Sequence, residues 1–189
     1  MSFRTRFALA TLCGLVLAGL VHLAAVLMLP HLGERDAVSR LAGTMSADRS
    51  ELIGSGSGGW LPLPDPAVAV AACAYDLGEG PVRVAARTGA LFEAVSFHAK
   101  GGAVFFAVTD RAATRGALDL VVMTREQLDE TLAEESEDEP SRDVRIVSPT
   151  AQGMVVVRTL AALPSLKGQA EAAAQAVSCT IETEPPEEG

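Results

Sequence analysis

The sequence predicts a mainly β protein: an antiparallel β-sandwich or jelly-roll-like domain with a short C-terminal helix, preceded by one N-terminal transmembrane helix. Three observations carry this. A run of 23 residues without a charge, Phe7 to Leu29, lies near the N-terminus. Between Ala69 and Leu160 the pattern switches to short, alternating stretches rich in β-branched and aromatic residues. The separators between most of these stretches are too short for parallel crossovers, which need a dozen residues or more.

The elements follow in order. Residues 1–6 form a tip bearing Arg4 and Arg6 and no acidic residue. Residues 7–29, at about 1.5 Å per residue, are long enough as a helix to span the ~30 Å hydrocarbon core of a bilayer. A cleaved secretory leader has a shorter apolar centre and a small-x-small site after it. Here Pro30, His31, Leu32, Gly33 and Glu34 follow instead. The run therefore reads as an uncleaved anchor whose partner is the lipid bilayer. Cationic flanks stay on the cytoplasmic side, which predicts a cytoplasmic N-terminus, one crossing and residues 31–189 outside. Cys13, inside the run, reads as a small apolar filler.

Residues 30–66 read as a juxtamembrane helix and a Gly/Ser/Pro linker. Val38, Leu41 and Met45 have helical spacing, and Pro62, Pro64 and Pro66 close the segment. Within it GSGSGG (54–59) matches G-x-G-x-x-G as letters. A dinucleotide loop needs a strand before the glycines and a helix opening after them. DRSELI is a poor strand, and WLPLPDP cannot start a helix. The glycines read as a spacer, and Trp60 as a residue packing on the domain or the membrane interface.

The β domain is expected over 67–180. Its candidate strands are 69–77, 81–86, 91–98, 103–109, 117–123, 144–148 and 153–160. An acidic insert, 124–143, interrupts them. Thr124 and Gln127 have capping-box spacing, predicting a short helix over about 125–135 before an acidic tip ending at Pro140. The insert lacks the alternating ligands and central glycine of a calcium loop, so it reads as solvated. An alanine-rich stretch, 164–179, predicts a helix that delivers Cys179 towards Cys73. The tail, 181–189, is acidic and proline-containing and reads as disordered.

Charge narrows the partners. Two of 15 basic residues precede the apolar run and all 24 acidic residues follow it, so the outer part carries 13 against 24, a net −11. That surface offers no footprint for nucleic acid. Cys73 and Cys179 both fall on the outer side, where an oxidising compartment lets them pair. The alternative is two buried free thiols. Of the histidines, His22 lies in the apolar run and His31 at its edge, so no metal cluster forms from the three within one chain, and no cofactor is implied. His98 is the one candidate base of the outer domain. Alternation puts it on one strand face with Ser96, Ala94 and Phe92, and puts Leu91, Glu93, Val95 and Phe97 on the other. Asp110 or Asp119 could orient its imidazole, but no nucleophile elbow accompanies the set.

Tyr75, Asp76, Leu77, Gly80, Pro81, Val82, Phe92, Ser96, Phe97, Phe105 and Arg111, with the later RIVSPTAQGMVVVR, resemble the bacterial domain-of-unknown-function family 1254 over roughly residues 65–180. The resemblance implies a small membrane-anchored member with a β-sandwich or jelly-roll-like domain, and a partner of the uncharacterised family 1214; with the orientation above it implies a single-pass protein of the bacterial inner membrane, its N-terminus cytoplasmic and its C-terminal domain periplasmic. It implies no established reaction. Where larger members carry an Asn/Asp-Thr-rich segment before the tyrosine, this chain has AVAAC. The functional expectation is a tethered domain that binds or assembles with another envelope protein. Alternatives are a small-ligand or carbohydrate-binding sandwich and a hydrolase centred on His98.

Overall fold

In the computed structural model, residues 2–33, 49–54, 63–134 and 143–182 are described. The chain divides into two units, residues 1–37 and 38–189.

The first unit is helix α1, Phe3–Gly33. Its stretch Phe3–Leu29 has a mean hydropathy of 2.5 and is exposed along its length. A helix that is apolar all round has no polar face to turn to water. By length and composition it is a candidate membrane span, and it starts a few residues before, and ends a few after, the expected 7–29.

The second unit is built from β1 (Glu51–Leu52), β2 (Val68–Asp76), β3 (Val82–Arg87), β4 (Glu93–Ala99), β5 (Val104–Thr109), β6 (Ala117–Met123), α2 (Arg125–Glu134), β7 (Val144–Val147), β8 (Gln152–Leu160), α3 (Lys167–Gln175) and β9 (Ser178–Ile181). Five strands form one sheet in the order β1-β2-β8-β4-β5, and four form the other in the order β7-β6-β3-β9. One core joins them. Cys73, Val95, Phe97, Val155 and Val157 from the first sheet cluster with Val82, Val84, Leu118, Leu120, Val122 and Ile146 from the second. Alternation along each strand sends these residues inward and their neighbours outward. Helix α3 buries Ala170 and Ala174 in the same cluster. The small alanines allow the helix backbone to approach β2 and β8 closely. The Cys73–Cys179 disulfide links β2 to β9 and thus one sheet to the other, with a Cα–Cα distance of 6.6 Å.

The pairings are antiparallel with one exception, β6 with β7, which is parallel. The exception has a physical cause. The connection between these two strands is the 124–143 insert, long enough to carry the chain back over the sheet, whereas the separators from β2 through β6 and between β7 and β8 are not. Helix α2 fills part of it, and its capping box is formed: the Thr124 amide donates to Gln127 Oε1 at 2.8 Å, and the Gln127 amide donates to Thr124 Oγ1 at 3.2 Å. The acidic tip at 135–142 lies outside the described residues, as do the 34–45 helix, the 55–62 part of the linker with Trp60, and the tail from 183 on.

Two strands depart from expectation. Residues 49–54, read as linker, belong to the β domain: Glu51 and Leu52 pair with Ala72 and Ala71 of β2. Arg49 bridges Ser178, and the buried Ser50 donates through Oγ to the Ala174 and Val177 carbonyls at 2.6 and 3.0 Å. This segment therefore touches the edges of both sheets. Its few residues carry no alternation that a sequence pattern could register. Likewise Cys179 sits on a strand and not at the end of a helix. Helix α3 stops at Gln175, and Ser178–Ile181 pair with β3. Ile181, placed in the tail by the sequence reading, ends β9.

Candidate functional site

The outer face of the five-stranded sheet brings Ser96, His98 and Arg158 together. Ser96 and His98 share this face of β4 because they are two residues apart. Arg158 reaches it from β8, where it lies opposite Ala94. Ser96 Oγ stands 3.1 Å from His98 Nε2, and Arg158 Nη1 donates to Ser96 Oγ at 3.0 Å. The second imidazole nitrogen, Nδ1, is 3.1 Å from the carbonyl of Gly102. That carbonyl is placed by the Lys100–Gly102 turn, in which Gly101 and Gly102 take φ of 97° and 86°. Such values suit glycine and strain other residues.

The hydrogen bonds define the tautomer. A carbonyl can only accept, so Nδ1 carries the proton that it donates to Gly102, and Nε2 presents its lone pair to Ser96. The Ser96 hydroxyl then has two acceptors in reach, His98 Nε2 and the Val156 carbonyl at 3.3 Å. Its oxygen meanwhile accepts from a guanidinium. Ser96 is buried, at 7% exposure. A serine–imidazole contact of this kind can polarise a hydroxyl, but here the oxygen that would attack is already engaged and shielded.

Neither aspartate considered as an orienting group joins the histidine. Asp110 lies in the 3-10 turn after β5, at the far end of β4 from His98. Asp119 lies on β6 of the other sheet and pairs with Arg83 at 2.5 Å. The sequence reading thus places Ser96 and His98 correctly and the acid incorrectly. It misses Arg158 and the Gly102 carbonyl. Arg158 is a single cation in the apolar run GMVVVRTL, but only the β4–β8 register shows what it meets.

Three further polar groupings stand out. On the outer face of the four-stranded sheet, Arg83 binds Asp119 and, through Nε, Glu182 at 2.5 Å, with Asp143 at 3.6 Å. Partial burial works against the Arg83 charge, and the two bonded carboxylates more than offset it, so its pKa is raised. At one end of the sandwich the Tyr75 hydroxyl reaches the His98 carbonyl at 3.3 Å and Ser148 Oγ at 3.2 Å. Burial raises the Tyr75 pKa, with the Ser148 contact opposing it. Beside it Gln152 Nε2 donates to Asp76 at 2.8 Å, which, with the Gly78 amide, lowers the Asp76 pKa. At the other end, Glu93 is buried in the core at 4% exposure. Thr159 Oγ1 donates to its Oε2 at 3.1 Å, while its Oε1 and the Oδ1 of Asp110 lack a hydrogen-bond partner. Burial raises the Glu93 pKa, and the Asp110 charge adds to the rise. Among the described residues no three His, Cys, Asp or Glu side chains are grouped so as to hold a metal ion.

No family model and no curated protein matches the chain. Among solved structures, the VPA0106 protein from Vibrio parahaemolyticus is similar at a TM-score of 0.54 and 10% identity, over 85% of this chain and 39% of that one. An uncharacterized protein from Burkholderia cenocepacia is similar at a TM-score of 0.48 and 11% identity, over 82% of this chain and 41% of that one. The chain spans about two-fifths of the length of each. At such identity the likeness to the Vibrio protein concerns the fold: this two-sheet arrangement also occurs within a longer protein.

Proposed function

We propose that the protein is a tethered β domain of the bacterial envelope. Helix α1 crosses the inner membrane with the N-terminus in the cytoplasm, and the disulfide-closed sandwich faces the periplasm, where it binds or assembles with another envelope protein. One combination supports this reading above others: an apolar helix of membrane-spanning length heads a chain whose two sheets are joined by a disulfide. The first wants lipid, and the second wants an oxidising space. The resemblance to family 1254 makes a family 1214-like protein the first partner to try.

The test has two parts. Spheroplasts carrying Ala117→Cys in a Cys13→Ser background are treated with a membrane-impermeant maleimide. Labelling of the unlysed spheroplasts is expected. Recovery of the protein in the soluble fraction, trimmed near residue 30, sinks the tether, and free alkylation of Cys73 and Cys179 without reductant sinks the compartment. Crosslinking through the acidic insert in membranes is then expected to give a discrete adduct with a second envelope protein, and its absence at every crosslinker length counts against the assembly role.

The 3.1 Å Ser96–His98 contact favours a second reading, a hydrolase using that pair. It requires fluorophosphonate labelling that disappears in Ser96→Ala. With Ser96 buried and held by Arg158, the expected outcome is no labelling.

A further inference from the structure

Sheet edges are sites of unwanted pairing, and folded proteins blunt them with shortness, charge, proline or a covering segment. Three of the four edges among the described residues are blunted. Strand β1 is two residues long. Strand β9 has four residues and is bridged at Ser178 by Arg49. Strand β7 also has four, carries Arg145 and follows Asp143.

Strand β5 differs. It runs six residues, Val104–Thr109, with neither a charge nor a proline, and no described strand lies on its outer side. Phe105, Phe106 and Val108 pack against the core, whereas Ala107 is exposed and Val104 is 57% exposed. The register with β4 slips between Phe97 and His98, leaving Phe105 as the extra residue on β5 and Phe106–Thr109 in a regular ladder.

We propose that this edge pairs with the same edge of a second copy, antiparallel about a two-fold axis at Ala107. The sequence fits itself in that register. Ala107 meets Ala107 on the outer face, while Phe106 meets Val108 on the core face, so both inner faces stay on one side of the extended sheet. Charge selects the same place. The chain carries a net −9, which drives copies apart over most of its surface, and β5 is an uncharged stretch within it. On the tethered reading proposed above, a shared membrane plane raises the effective concentration of one copy near another and so favours a small interface.

The experiment uses the full chain. In a Cys13→Ser background, Ala107→Cys is treated in native membranes with a short bis-maleimide, and Ala117→Cys, exposed on β6, serves as the collision control. Several-fold more homodimer from Ala107→Cys than from the control is expected. In detergent, light scattering is expected to give a dimer for the parent and a monomer for Ala107→Lys at unchanged melting temperature. Equal crosslinking at both positions, or a monomeric parent, overturns the proposal. So does an Ala107→Cys adduct with a different protein, which would assign the edge to a foreign strand.

Discussion

At the end of the sandwich where β2 finishes and β8 begins, polar groups are strung into a chain. The Tyr75 hydroxyl meets Ser148, Ser148 donates to the Thr150 carbonyl at 2.7 Å, and Thr150 Oγ1 donates to the Gln152 carbonyl at 2.7 Å. Lys100 joins through its amide, to Thr150 Oγ1, and through its Nζ, to Gln152. At the opposite end, where β4 begins and β5 finishes, Glu93 faces the core and each of Glu93 and Asp110 buries an oxygen without a partner. The difference lies in the chemistry of the groups. Hydroxyls and amides both donate and accept, so a chain of them can close. Two carboxylates only accept, and one must hold a proton before they can share a bond. The first end fixes the fold, and the second carries a standing cost.

Cutting what the two ends share exposes that contrast most. The disulfide joins the sheets between them and closes a separation of 106 residues. Chain entropy gives such a bridge about 4–5 kcal/mol. The double variant Cys73→Ala/Cys179→Ala is expected to lose most of that, lowering Tm by more than about 10 °C. Hydrogen exchange should then show the Glu93 end opening before the Tyr75 end. Equal loss of protection at both ends would erase the contrast.

The next effect breaks the well-paired end. Gly153 pairs with Tyr75 in the β2–β8 register, and the Tyr75 ring lies over it. A Cβ there would run into the Tyr75 hydroxyl and the His98 carbonyl oxygen. One of these is backbone and cannot swing aside. Gly153→Ala is expected to cost about 1–3 kcal/mol by overpacking, read as a shifted denaturant midpoint.

These placements are unequally legible in the sequence. Strands β3 and β4 are visible through alternation, and β2, β5, β6, β7 and β8 as short runs of apolar and β-branched residues set between turn residues; β8, buried from Gly153 to Val157, is such a run. Strands β1 and β9 are not, since two and four residues show no period; they exist through Ser50, the β3 edge and the disulfide. Local alternation is enough to put Ser96 beside His98 and to turn Glu93 towards the side of Val95 and Phe97. It cannot supply Arg158, which depends on the register of β8, or reveal that Asp110 lies opposite the buried end of β4 and away from the imidazole. The capping box at Thr124 and Gln127 is legible because both partners lie within one helical turn.

A smaller effect sharpens the same end. Tyr75→Phe keeps the ring and removes the hydroxyl that ties the β4 end to Ser148, an expected loss of about 1 kcal/mol. As Tyr75 is the single tyrosine of the chain, its ionisation can be followed directly by ultraviolet absorbance. Burial lifts its pKa above the ordinary value of 10.0. Stability is therefore full below that value and declines as pH rises from it through the raised one, where the unfolded chain ionises first. The Tyr75→Phe variant would abolish this part of the alkaline decline, and an unchanged decline would show that the hydroxyl is not held as described.

At the Glu93 end, removing the titrating group is expected to have the opposite sign. The folded pKa of Glu93 lies above the ordinary 4.5, so the folded state holds a proton that the unfolded chain has released. Below that ordinary value the carboxyl is neutral in both states and carries no ionisation cost. As pH rises from there through the raised value, stability falls, and beyond it the full cost of the buried charge remains. Glu93→Gln keeps the shape, accepts from Thr159 as before and brings no charge into the buried site. The variant is expected to gain about 1 kcal/mol near neutral pH, the scale of one buried unpaired group, or roughly 3 °C in Tm. The gain should shrink towards nothing as the pH is lowered past the ordinary carboxyl range. A variant less stable than the parent at neutral pH, or a gain that does not change with pH, would mean that the Glu93 carboxylate is satisfied in the folded protein and that the two ends do not differ in this way.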